Sequence, residues 1–168
     1  MRGSAGAGFA RLAIMRFRLA WFGWVLLSFS ATLPGAATPP DEWYQTLAKP
    51  DWTPPSWVFP VVWTTLYVLM GTAAWMVWCT AKEKGSVRGP LSVFLIQLAL
   101  NAAWTPTFFG AHRILAALLI IMALWLAILV TMLAFRRVSL AAASLLAPYF
   151  VWVSIATVLN FEIWRLNS

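Results

Sequence analysis

Polar and aromatic side chains recur at helical spacing inside a long apolar stretch of the chain. Gln97, Asn101, Trp104 and Phe108 are separated by four, three and four positions, so they share one face of a helix. An unpaired amide is costly to bury in an apolar environment. Gln97 and Asn101 are therefore predicted to face the interior of a helix bundle.

Two further apolar stretches carry the same kind of pattern. The members are Trp63, Tyr67, Met70 and Ala74 in one stretch, and Tyr149, Trp152, Ala156, Leu159 and the adjacent Asn160 in the other. Aromatic walls with a few hydrogen-bonding groups suit a cavity for a flat lipophilic ligand. The alternative is helix–helix packing, in which amides link helices and small residues allow close approach.

The remaining titratable residues form no catalytic or metal-binding constellation. Asp41, Glu42 and Asp51 lie together in a polar segment, while Glu162 is expected to pair with Arg165 three residues later. His112 is interpreted as an interfacial histidine, with an axial haem ligand as the alternative. The single cysteine excludes an intramolecular disulfide. We therefore expect no metal site and no catalytic group, unless Trp63 and Trp152 themselves react with a bound ligand.

Composition predicts an all-α polytopic membrane protein. The chain of 168 residues is 62% hydrophobic and 10% charged, against about 25% charged in ordinary soluble domains. The net charge of +7 does not indicate nucleic-acid binding, because the basic residues lie between apolar runs. The expected partner is the lipid bilayer, and part of the tryptophan excess is typical of an interfacial belt.

The hydropathy pattern predicts a single transmembrane domain over residues 16–168, preceded by a loosely structured basic leader over 1–15. Its five helices are predicted at about 17–36, 58–80, 90–110, 113–134 and 139–163. The first run reaches membrane-spanning length, about 20 residues; a cleaved signal peptide is the alternative. Short links between the later helices require adjacent helices to run antiparallel.

The only long predicted loop, residues 37–57, joins the first two helices and is rich in aromatic residues and prolines. Within it, a short surface helix is predicted over 39–48, with Thr38 as its cap and Pro39 in its first turn. Prolines at 50, 54, 55 and 60 exclude a long regular helix before about residue 60. The loop is therefore expected to form a stiff lid that leads into the second helix.

Basic residues predict the orientation. Nine lie on the amino-terminal side and three, Lys49, Arg113 and Arg165, on the other. By the positive-inside rule the amino terminus is cytoplasmic, and loop 37–57 and the carboxyl terminus lie on the opposite side. On another face of the third helix, Ala99 and Ala103 form a small-x3-small pair that could carry a homodimer seam.

Three motifs carry a resemblance to a known family. KPDWTPPSWVFPVVWTTLYVLMG (49–71), QLALNAAWTPTFFG (97–110) and PYFVWVSIATVLNFEIWRLN (148–167) closely resemble the translocator protein family, which includes bacterial tryptophan-rich sensory proteins and mitochondrial peripheral benzodiazepine receptors. The resemblance covers about residues 17–167. It implies a five-helix bundle, usually a homodimer, that binds protoporphyrin IX and haem, benzodiazepine-type ligands and, in animal members, cholesterol.

The resemblance also implies that the ligand binds among helices 1, 2, 3 and 5, under the first loop. Carried over by motif position, the pocket residues are Phe59, Trp63, Asn101, Trp152, Ala156 and Leu159. Trp63 and Trp152 match tryptophans linked in some bacterial members to light-dependent porphyrin breakdown. One departure is Phe161 followed by Glu162, where the animal cholesterol-recognition segment has a tyrosine. Steroid binding in the animal manner is therefore not expected, and the segment suits a bacterial member, more in an inner than an outer membrane.

Together these observations predict a membrane binding protein for tetrapyrroles, protoporphyrin IX or haem, held without a covalent bond, and for other flat lipophiles such as sterol-like lipids. Tyr67, Gln97 and Trp104 join the motif-derived residues in the predicted site. The two porphyrin propionates are expected to contact Lys49, Arg113 or Arg165. The functional alternatives are a light-dependent porphyrin-degrading enzyme, a regulatory partner of another membrane protein, and a transporter.

Overall fold

The computed structural model describes the backbone of residues 3–84 and 87–168, and side chains at 15, 17–80 and 87–168. The helices are α1 Gly3–Phe29, α2 Leu33–Ala36, α3 Glu42–Thr46, α4 Val58–Lys84, α5 Arg88–Thr105, α6 Ile114–Arg136, α7 Leu140–Ser144 and α8 Ala147–Leu166. A 3-10 turn, Ser30–Thr32, joins α1 to α2, and a π-helical turn, Pro106–Gly110, follows α5. The fold over the described residues is entirely helical.

Five segments are long and apolar enough to cross a membrane. They are Phe17–Ala36, Val58–Thr80, Arg88–Gly110, Ile114–Arg136 and Leu140–Leu166. These segments confirm the predicted five-helix membrane fold. The prediction was possible because an apolar run of about 20 residues is by itself long enough to span a membrane as a helix.

Three spans are interrupted, and each interruption lies beside a proline. Pro34 follows the 3-10 turn in the first span, Pro106 begins the π-helical turn in the third, and Pro148 lies in the first turn of α8 after the break from α7. A proline removes a backbone donor and clashes with the preceding turn, which accounts for a break in regular α-helix at each of these places.

The predicted leader differs from the structure. The backbone is helical from Gly3 onward, so residues 3–15 extend α1 ahead of the span that begins at Phe17; residues 1 and 2 lie outside the described residues. Alanine, leucine, methionine and arginine are strong helix formers, and they outweigh the three glycines at 3, 6 and 8.

The predicted surface helix is shorter than expected and starts later. α3 begins at Glu42, and its cap is Asp41, whose carboxylate accepts a hydrogen bond from the Tyr44 amide. Thr38 is not the cap, because its hydroxyl donates to the carbonyl of Pro34. Aspartate is among the strongest N-cap residues, and the helix ends where Leu47 adopts an extended conformation.

The bundle packs α1 against α4, α5 against α6, and α6 against α8. The largest fully buried side chains include Phe94, Phe135 and Tyr149. At the α1–α4 crossing, a Cβ added to Gly71 would lie 2.5 Å from the Cα of Val25. Glycine at 71 therefore allows the two backbones to touch, as small residues do between membrane helices.

Candidate functional site

The candidate site is a cavity of about 380 Å³ among five helical segments, here called the main cavity. Five aromatic side chains line it: Phe59, Trp63, Tyr67, Trp104 and Trp152. Most of the remaining lining atoms are apolar, and the polar groups come from Tyr67, Asn101 and threonines 32 and 105. Apolar walls with a few polar groups are typical of small-molecule sites of this size.

Aromatic pairs build two of the walls. Trp63 stacks on Tyr67, with ring centroids 5.5 Å apart and planes 25° apart. Phe59 packs edge to face against Trp152, with centroids 5.7 Å apart. Helical spacing explains the first pair, because residues four apart lie one above the other on the same face of α4.

A chain of side-chain hydrogen bonds joins α4, α5 and α8 beside the main cavity. The Tyr67 hydroxyl donates to Asn101 Oδ1 over 2.8 Å, and Asn101 Nδ2 donates to the Tyr149 hydroxyl over 3.0 Å. Tyr149 in turn donates to Gln97 Oε1 over 3.0 Å. The chain satisfies Asn101 on both sides, and this fixes how its amide and the Tyr67 hydroxyl are presented to the cavity.

Gln97 does not line the main cavity, although it was predicted as a ligand-binding residue. Its side chain is 1% exposed and lies at the far end of the hydrogen-bond chain, where it accepts from Tyr149. Its Nε2 has no hydrogen-bond partner among the described residues. Gln97 therefore supports Tyr149 and Asn101 instead of lining the cavity.

Leu159 lines a smaller neighbouring space, here called the side cavity, of about 40 Å³. The two cavities share Phe59, Trp104 and Ala156 as lining residues. The side cavity is also bounded by Tyr44 of α3. Seven of the nine predicted ligand-binding residues line the main cavity, and Leu159 lies in its extension beneath α3.

The end of the first span supplies one wall, whose individual residues were not named from the sequence although the resemblance implied a pocket among helices 1, 2, 3 and 5. Ala31, Thr32, Gly35 and Ala36 line the main cavity. A Cβ on Gly35 would lie 2.9 Å from Thr105 Cγ2, so glycine lets this turn approach α5. Small residues add little to a pattern of aromatic and polar residues at helical spacing, and the helix break in this segment interrupts that spacing. Ile121 and Leu124 of α6 also line the cavity, so the fourth span contributes as well.

None of the three predicted propionate contacts lines the main cavity. Lys49 Nζ donates to the carbonyls of Leu47 and Gln45 and lies 4.5 Å from the Tyr44 ring centroid. Arg165 pairs with Glu162 at 2.6 Å, as the spacing predicted. Arg113 is exposed just before α6. All lie outside the cavity, so any contact with a ligand carboxylate must be made at its rim.

α3 is held above the side cavity by contacts with the turn before α6. His112 Nε2 lies 2.9 Å from Asp41 Oδ2, and the His112 ring stacks on Trp43 with centroids 4.2 Å apart. Desolvation raises the pKa of Asp41, whereas the hydrogen bond from the Tyr44 amide and the contact with His112 lower it. The resulting pKa of Asp41 lies below its ordinary value. Burial raises the pKa of Tyr44.

Comparison with known proteins agrees with this architecture. The model of the TspO/MBR family matches residues 20–165. The chain belongs to the TspO/MBR family. It is 50% identical over 129 residues to the tryptophan-rich protein TspO of Chlorobaculum tepidum, covering 76% of this chain and 82% of that relative.

Two further relatives show the breadth of this TspO/MBR likeness. The chain is 42% identical to protein CrtK of Rhodobacter capsulatus, over 79% of this chain and 83% of the relative. It is 43% identical to the human translocator protein, over 75% of each chain. The resemblance stated from the three motifs is confirmed. Family membership supports a membrane role in tetrapyrrole or sterol binding, or in regulation.

Proposed function

We propose that the protein binds a flat tetrapyrrole, protoporphyrin IX or haem, in the main cavity and acts in its sensing, regulation or transport. The observation that carries this proposal is the convergence of Phe59, Trp63, Trp104 and Trp152 on one cavity beside the Tyr67–Asn101 hydrogen bond. Aromatic side chains favour offset stacking or edge-to-face contact with another ring. A planar macrocycle offers such a ring, and sterol-like lipids are further ligands of the same apolar walls.

Each wall has a distinct role in this proposal. Trp63 and Trp152 lie in the two aromatic pairs and flank the ligand ring. Asn101 and Tyr67 orient it, because their polar atoms lie in a largely apolar lining. Side chains that are already fixed by packing and hydrogen bonds lose little entropy on binding.

The propionates of such a ligand project toward the rim beside α3. Of the three candidate cations, Arg165 already pairs with Glu162 and Lys49 with backbone carbonyls. Arg113 is exposed and has no such pairing among the described residues. Arg113 is therefore the proposed first contact, and its fork of donors suits a carboxylate. Replacing all three by glutamine is expected to weaken binding of protoporphyrin IX.

The assembly and placement in the membrane complete the proposal. Ala99 and Ala103 are exposed on α5, where they are available for a homodimer seam between close-packed helices. The excess of basic residues favours a cytoplasmic amino terminus in a bacterial inner membrane. The α3 side of the bundle then faces the exterior.

Light-dependent degradation of the bound porphyrin is the second candidate function. It is favoured by the presence of both Trp63 and Trp152 in the main cavity, since an indole beside an excited porphyrin can take part in its oxidation by dioxygen. This activity needs no acid–base group, and no charged side chain lines the cavity among the described residues.

The test is quenching of tryptophan fluorescence by protoporphyrin IX in the dark, with the purified protein in nanodiscs. Saturable quenching that weakens in Trp152→Phe and in Asn101→Ala supports the proposed site. Repeating the titration under illumination separates the candidates, because loss of the porphyrin spectrum with turnover would favour the enzyme. Non-saturable quenching by a protein with an unchanged circular-dichroism spectrum would contradict both.

A further inference from the structure

α3 is held over the side cavity at three places, and two of them involve the turn at 106–113. At one end, the Asp41 cap contacts His112 and Trp43 stacks on the same ring. Beside it, a Cβ added to Gly110 would lie 2.7 Å from Thr38 Cγ2. At the other end, Asn167 makes hydrogen bonds with both the amide and the carbonyl of Ala48.

His112 occupies a backbone conformation that is uncommon outside glycine. Its φ is 54°, in the left-handed region, which asparagine, aspartate and histidine tolerate better than most residues. The backbone on both sides is fixed, because the Ala111 amide donates to Pro106 and the Arg113 amide donates to Thr107. This conformation directs the imidazole to α3, where the side chain remains 39% exposed.

The underside of α3 closes the route from this surface to the main cavity. Trp43, Tyr44 and Leu47 pack on the apolar cluster that includes Phe108 and Leu159. Tyr44 lines the side cavity, which adjoins the main cavity through shared lining residues. Moving α3 away would therefore uncover the side cavity beside the main cavity.

We propose that His112 is a positioning residue that holds α3 closed more firmly when it is protonated, so that ligand exchange slows as the pH falls from 8 to 6. Histidine is the side chain that ordinarily changes charge in this range. An imidazolium donates a charge-assisted hydrogen bond to Asp41 and is attracted to the face of the Trp43 ring. The effect on ligand exchange rests on the proposed function; the effect on α3 does not.

The other charged and titratable groups near the His112–Asp41 contact do not reverse the direction of the expected pH effect on α3. On the α3 side these are Asp41 itself, Glu42 and Tyr44, and on the turn the neighbour is Arg113. Lys49 is turned to backbone carbonyls and to the Tyr44 ring. Asp41 is ionised throughout this range, since its pKa lies below the ordinary value of 3.8.

The first test needs no ligand. Hydrogen-exchange protection of the α3 amides is measured in nanodiscs at pH 6 and pH 8, after correction for the intrinsic exchange rate. Protection in the wild type is expected to be about two- to fivefold higher at pH 6, the size of an exposed ion pair. His112→Asn tolerates the left-handed backbone, and α3 protection in this variant should be equal at pH 6 and pH 8.

Two further variants separate charge from structure. Asp41→Asn retains an N-cap but removes the negative charge, so it should also remove the pH ratio. Asn167→Ala loosens α3 at its other end without touching a titratable group, so it should lower protection at both pH values and leave the ratio intact. The proposal would be overturned if His112→Asn kept the wild-type ratio of α3 protection between pH 6 and pH 8. It would also be overturned if protection in the wild type were equal at the two pH values.

The second test measures dissociation of protoporphyrin IX dimethyl ester, which has no titratable carboxylate. Its release from the wild type is expected to be about two- to fivefold slower at pH 6 than at pH 8, and equal at both pH values in His112→Asn. If the ester binds but its release is independent of pH, the role of His112 in exchange is refuted while the binding function stands. If the α3 ratio is present but neither the ester nor protoporphyrin IX itself binds, the binding function is refuted instead.

Discussion

Replacing Gly71 by alanine tests whether the contact between α1 and α4 shapes the main cavity. The new Cβ would lie 2.5 Å from the Cα of Val25 and 2.8 Å from its amide nitrogen. Ordinary contacts of a Cβ lie at 3.4–4 Å, so the helices must separate by roughly 1 Å, since neither backbone can rotate away.

The expected cost follows from two opposing effects. Overpacking a well-packed contact costs about 1–3 kcal/mol, whereas alanine in place of glycine inside a helix stabilises by about 0.5–1 kcal/mol. Gly71→Ala should therefore destabilise the protein by about 1–2 kcal/mol. Gly23→Ala is the matched control, because nothing lies within 4 Å of its added Cβ, and only the helix-propensity gain should appear.

Reversible unfolding by SDS in mixed micelles measures this difference, and porphyrin titration measures its effect on the cavity. The main cavity has one wall from Ala31–Ala36, which follows α1, and another from Phe59–Tyr67 of α4. Separation of these helices should therefore weaken binding in Gly71→Ala but not in Gly23→Ala. Equal stability and equal affinity of the two variants would refute the packing argument.

Other expectations follow from single contacts. Asn101→Leu should cost about 1–2 kcal/mol, because it leaves the Tyr67 hydroxyl unpaired in the bundle, and Tyr67→Phe should cost less in the same SDS assay. Trp152→Phe should weaken porphyrin binding, whereas Trp57→Phe, at a side chain that is 66% exposed, should not. The lowered pKa of Asp41 means that its carboxylate stabilises α3 above pH 3.8, and this contribution is lost as the pH falls through the lowered pKa; hydrogen exchange at the Tyr44 amide checks it.

The features that sequence predicted well are those with a local physical cause. Apolar runs predicted the five spans, and the four-residue spacing from Trp63 to Tyr67 and from Gln97 to Asn101 predicted inward faces. Glu162 and Arg165 lie three residues apart and do pair. In each case one turn of helix is enough to bring the interacting groups together.

The features that sequence missed depend on contacts between distant segments. Nothing local indicates that Tyr149 separates Asn101 from Gln97, or that His112 contacts Asp41 across 71 positions. The residues of the Ala31–Ala36 wall were not named from the sequence, because small side chains beside the helix break at Pro34 form no aromatic or polar pattern. Asp41 and Thr38 are both competent caps, and only the fold decides between them.

The most direct test of the account is a structure of the protein with protoporphyrin IX bound in the dark. The macrocycle is expected in the main cavity, with its ring against Trp63 and Trp152 and with Asn101 still hydrogen-bonded to Tyr67 and Tyr149. A macrocycle bound on the lipid-facing surface, with the main cavity unchanged, would contradict it.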